Sequence, residues 1–114
     1  MAETWNVVLT LAVSEGSDEK INEQLEIVET KNMTERRNIT IADDTTDKEI
    51  SFADLGTVEE LIIISDQTIT IKKNSNSATG ITGKRFMFSN SSFTSVFITN
   101  ASGDDANVKI IAGG

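Results

Sequence analysis

VEELIIISDQTITIKK, residues Val58–Lys73, decides the fold. Leu61–Ile64 is an unbroken apolar run rich in β-branched side chains, which suits a strand covered on both faces. Beyond Ser65-Asp66-Gln67, Thr68, Thr70 and Lys72 alternate with Ile69 and Ile71, the two-residue period of a half-buried strand. The stretch reads as two strands joined by a tight turn at Ser65-Asp66-Gln67, a hairpin at the centre of a β-sandwich.

The chain around it has the same character. Residues 4–13 alternate most clearly, with Trp5, Val7, Leu9, Leu11 and Val13 on one parity. That strand either closes one end of its own core with Trp5 or packs on a neighbouring subunit, and the pattern leaves both open. Ser14–Lys20 is a polar turn. In 20–31, Ile21, Leu25 and Val28 fit a helical face, while Leu25 and Ile27 fit a strand; the strand is favoured because its neighbours are strands. After a loop at Lys31–Glu35, Arg36–Ala42 turns Ile39 and Ile41 inward. Asp43–Asp47 is a turn, and Lys48–Ala53 points Ile50 and Phe52 at the core. Asp54-Leu55-Gly56 leads into the central hairpin, with Gly56 suited to a positive φ. Asn74–Gly83 is a long polar loop anchored by Ile81, the segment best placed to face a partner. Lys84–Ser89, Phe93–Thr99 with a bulge, and Ala106–Ala112 are the last strands, with Asn100–Asp105 as a turn hinged on Gly103. The expectation is an all-β, single-domain protein: an antiparallel β-sandwich of about eight or nine strands, jelly-roll-like, over residues 1–114.

Composition narrows the chemistry. The 114 residues suffice for one core, and their net charge is −8. An acidic chain repels phosphate, so nucleic acid is not expected as a partner. The small basic clusters Arg36-Arg37, Lys72-Lys73 and Lys84-Arg85 read as solvated edges. With neither Cys nor His, the usual nucleophile–base pairs and most zinc sites have no residues to build them. Glycoside hydrolysis needs paired carboxylates in a cleft, usually with aromatic platforms, and the one Trp and five Phe read as core instead. No enzyme activity and no cofactor are expected. No apolar run approaches the length of a membrane span. Met1-Ala2-Glu3-Thr4 lacks the basic start of a signal peptide, so synthesis in a cytoplasm is expected.

Among acidic turns, Asp43, Asp44 and Asp47 form the best, weak, candidate for Ca²⁺; the alternative is a solubilising turn. The four N-x-S/T sequons at Asn32, Asn38, Asn90 and Asn100 read as chance in a chain rich in Asn, Ser and Thr. Ile62, Ile64, Met87 and Phe97 fall on the parity opposite their apolar neighbours. They are the candidate interface, an outward apolar patch for subunit contact; the alternative is that both faces are covered within the monomer.

Two segments carry a resemblance: RRNITIADDTTDKEISFADLGTVEELIIISDQTITIKKN (36–74) and SFTSVFITNASGDDANVKIIAGG (92–114). Their order of Ile/Thr strand, acidic stretch, apolar strand, Asp-Gln turn, alternating strand and closing Gly tail resembles small virion structural proteins of tailed bacteriophages. The resemblance implies a decoration or cement protein bound to the major capsid protein of the assembled capsid. It would be made in the host bacterial cytoplasm, located in the virion and homo-oligomeric, with a trimer favoured. A small tail, neck or fibre component is the alternative within that resemblance. A calcium- or carbohydrate-binding β-module is the alternative outside it, and the absence of Tyr counts against that one.

Overall fold

The computed structural model describes residues 2–114. It is all-β, eight antiparallel strands in two sheets, as the sequence pattern predicts. The chain divides into two compact units, Met1–Asn32 and Met33–Gly114.

The first unit is a long hairpin, β1 (Glu3–Glu15) and β2 (Asp18–Lys31), closed by Gly16-Ser17 with Gly16 at φ 62°. Residues 20–31 are therefore a strand, and the turn is shorter than the expected Ser14–Lys20. In-register pairing sets Val7 opposite Ile27, Leu9 opposite Leu25 and Val13 opposite Ile21. Directly opposed residues share a face of the ribbon, so the alternation of both strands adds up on one side. A bulge interrupts the register between Val13 and Ser14.

The second unit is one curled sheet. β3 (Thr34–Ile41), β4 (Thr45–Ser51), β5 (Glu60–Lys73), β6 (Ile81–Phe88), β7 (Ser95–Asn100) and β8 (Ala106–Gly113) lie in the order β3-β8-β5-β7-β4, with β6 also paired to β5. A 3-10 turn at Ala53–Leu55 ends at Gly56, whose φ of 73° fulfils the expectation at that position.

β5 organises this unit, but not as the expected hairpin. Val58–Lys73 contains no reversal at Ser65-Asp66-Gln67; Glu60–Lys73 is one strand. The Ser65 hydroxyl donates to the Gln67 carbonyl at 2.7 Å and accepts from the Gln67 amide at 3.2 Å. Those local bonds replace ladder bonds, and the pairing with β6 slips between Ile64 and Ile69. The result is a bulge that turns a corner instead of a chain reversal. Leu61, Ile63, Ile69 and Ile71 are all buried, so the inward parity survives the corner. On its other edge β5 pairs with β8 over Glu60–Ser65 and with β7 over Thr70–Lys73. One strand thus serves both halves of the curl, and the core of Phe52, Phe93, Ile41, Ile98, Val108 and their neighbours fills it. That core is built wholly from the second unit.

Smaller expectations also shift. β4 starts at Thr45, inside the stretch read as a turn, and Asn32-Met33 is all that remains of the loop read at Lys31–Glu35. Ile81 opens β6 and is exposed, so it does not anchor the polar loop. Phe93 lies before β7, bridged to Val58, which explains why it does not share a parity with Val96 and Ile98. Among the described residues no helix is long and apolar enough to cross a membrane.

Candidate functional site

Two faces present apolar side chains to solvent. The first is the ribbon. Leu9, Leu11 and Leu25 are 44%, 54% and 55% exposed, and Val13 and Ile21 beside them are exposed too. Pairing places all five on one face, with Glu23 opposite Leu11 and Glu29 opposite Trp5. The other face carries Thr4, Asn6, Thr10, Gln24 and Thr30, together with exposed Val8 and Val28. A two-stranded ribbon in water is marginal by itself, and this one leaves Leu9, Leu11, Val13, Ile21 and Leu25 exposed, while Trp5 at the end of the same side is buried.

The second is the outer face of β3, β8, β5 and β6. Register puts Arg36, Ile111, Ile62 and Met87 in one row across the four strands. Asn38, Lys109, Ile64 and Arg85 form the next. Ile64 is exposed, while Ile62, Met87 and Ile111 are half-buried. Three of the four predicted interface residues therefore share this face. Phe97 does not; it lies between Glu49 and Lys72 in the β4–β7–β5 half. A shallow depression of about 470 Å³ opens beside Ile64, lined also by Asn38, Asp66, Arg85, Asn107 and Lys109. Its polar end is closed by internal bonds: Asp66 accepts from the Asn107 amide and side chain at 2.8 and 3.0 Å. Arg36, Arg85, Lys109, Glu23 and Glu29 form no ion pair among the described residues.

The basic pairs read as solvated edges separate by parity. Arg36 faces out, whereas Arg37 lies over the Phe52 ring and bonds Glu35. That bond holds the Glu35 carboxyl below its ordinary range and raises Arg37. Lys73 lies over the Phe93 ring and donates to Ser91, and Lys72 pairs with Asp47 at 3.0 Å.

Two carboxylates of the acidic turn are engaged by groups elsewhere in the second unit. Asp43 accepts from the Gly103 amide, Asp47 accepts from the Thr99 hydroxyl and pairs with Lys72, and Asp44 sits at φ 63°. Among the described residues no group of three or more carboxylates is placed to hold a metal ion. Asn100, one of the four sequon asparagines, is fully buried. Its amide donates to the carbonyls of Ile41 and Asp104, and its oxygen accepts from the amide and hydroxyl of Ser102. It serves as the clamp of the Asn100–Asp105 turn. Asn74 holds the start of the polar loop in the same way, through Ser92, Thr94 and Ser95.

No family model, curated protein or solved structure matches the chain. What the faces can do must be read from their own chemistry: they offer apolar rows ringed by charge, a surface for protein contact. Sequence reasoning found the outer face through parity. It missed that β1 and β2 form a sheet of their own. The available signal was two matched runs of unusual length around one short turn, the second studded with carboxylates.

Proposed function

We propose that the protein is a structural component of a virus particle that decorates the assembled capsid and stabilises it. The observation that carries this reading is the ribbon. Leu9, Leu11, Val13, Ile21 and Leu25 lie exposed on one side of a sheet only two strands wide, and the other unit has a core of its own. Such a side is stable in water once another surface covers it. The bacteriophage resemblance of residues 36–74 and 92–114 supports the virion as the setting, with the major capsid protein as partner. A protein that binds assembled shell better than free subunits stabilises the shell by mass action. The acidic charge limits adsorption to packaged nucleic acid.

The test is co-sedimentation with purified particles, followed by counting copies per particle and heating decorated and bare shells. Hundreds of copies and a higher disruption temperature are expected. A few tens of copies would move the protein to the tail, neck or fibre. Absence from particles at saturating protein would sink the reading.

A further inference from the structure

The ribbon face and the outer face of β3, β8, β5 and β6 are complementary, and every copy of the chain carries both. Residues 1–32 hold seven carboxylates against two lysines, a net charge of −5. Two ribbons laid face to face would bring like charges together. The outer face offers the opposite sign, with Arg36, Arg85 and Lys109 set around Ile62, Ile64 and Ile111.

Spacing agrees with charge. Glu23 and Glu29 bracket Leu25 and Ile27 on β2; at the rise of a strand they stand about 20 Å apart. Arg36 and Arg85 occupy opposite corners of the two rows; at sheet spacing their Cα atoms are about 16 Å apart, and long side chains extend that reach. The five exposed apolar side chains of the ribbon offer roughly 400 Å², about half of one partner's share in a stable interface, so each contact is a weak one. A copy that gives its ribbon to one neighbour and receives a ribbon from another makes two such contacts and uses both faces.

We propose that the ribbon of one copy lies across the outer face of a second copy, its apolar side on Ile62, Ile64 and Ile111, with Glu23 and Glu29 against Arg36 and Arg85. The contact is heterologous, so it repeats from copy to copy and closes as a ring where the rotation allows. It names the occupant of the ribbon and in that sense rests on the reading of the protein as an assembly component. Its test uses free protein, so its failure is separable from failure to bind particles.

The experiment is sedimentation velocity of the full chain over a concentration series, with charge-swapped variants. The wild type is expected to associate, less so at high salt. R36E/R85E and E23R/E29R should each weaken association about tenfold, and the quadruple variant should recover it. A wild type that stays monomeric, double variants that associate like the wild type, or a quadruple variant without recovery would each overturn the proposal. Because the chain has no cysteine, a second readout is independent of charge. Leu25→Cys and Ile62→Cys proteins, mixed and treated with a short bis-maleimide, should give predominantly mixed dimers. Predominant Leu25→Cys homodimers would show ribbon-on-ribbon packing and overturn it.

Discussion

Asn100 shows how much one side chain decides here. It has no exposure, yet all four of its polar contacts are made, two carbonyls bound and two donors accepted. Asn100→Ala strands the Ile41 and Asp104 carbonyls and frees the turn, and should cost about 2–4 kcal/mol in denaturant unfolding. Asn100→Asp keeps the shape but turns a charged oxygen toward two carbonyls, so its loss should be no smaller. A loss under about 0.5 kcal/mol in either variant would contradict the clamp. The Glu35–Arg37 pair acts in the opposite regime, at a partly exposed position. The bond from Arg37 holds the Glu35 carboxyl below its ordinary range. A depressed carboxylate contributes stability that is present above the unfolded value and lost as pH falls through the lowered folded one. Solvent screening keeps it below about 1 kcal/mol. Wild type should therefore exceed Glu35→Gln in stability near pH 6, with the gap closing near pH 3. A gap that widens on acidification would contradict the assignment.

Among the elements, β5 carries the most weight and was the most misread. The alternation of Leu61, Ile63, Ile69 and Ile71 was legible, as were strands β1, β3, β7 and β8, because parity follows directly from which face is buried. The polar triplet Ser65-Asp66-Gln67 was not, since a short polar interruption marks either a reversal or a bulge. What separates them is the partner on each edge, here β8 before the corner and β7 after it, and that information lies far away in the chain. The interface residues split for the same reason: parity put Ile62, Ile64, Met87 and Phe97 outward, but only strand order tells which half of the curl each faces. If the Ser65 hydroxyl fixes the corner, Ser65→Ala should cost about 1–2 kcal/mol. It should also speed amide exchange locally at Gln67 and Thr68, leaving Leu61–Ile63 protected. Uniform loss of protection along β5 would mean the corner is held by packing alone.

At the scale of the molecule, the division into a ribbon and a curled sheet makes unfolding itself informative. The only tryptophan, Trp5, lies on β1, so its fluorescence reports the ribbon. The sixteen side chains of the main buried cluster all belong to the second unit, so core amide exchange reports that unit, and because β3–β8 hold most of the strand residues, far-UV circular dichroism is weighted toward it. A two-stranded sheet with an uncovered apolar side is the less stable part. At low protein concentration, Trp5 emission should therefore change at lower urea than the dichroism, a departure from two-state behaviour. Raising the concentration should move only the Trp5 transition upward, because association that covers the ribbon stabilises it by mass action. R36E/R85E, which leaves the ribbon's own sequence intact, should move that shift to about tenfold higher protein concentration. Coincident transitions at every concentration would mean that the two units unfold together, and the ribbon would then need no second surface to hold it.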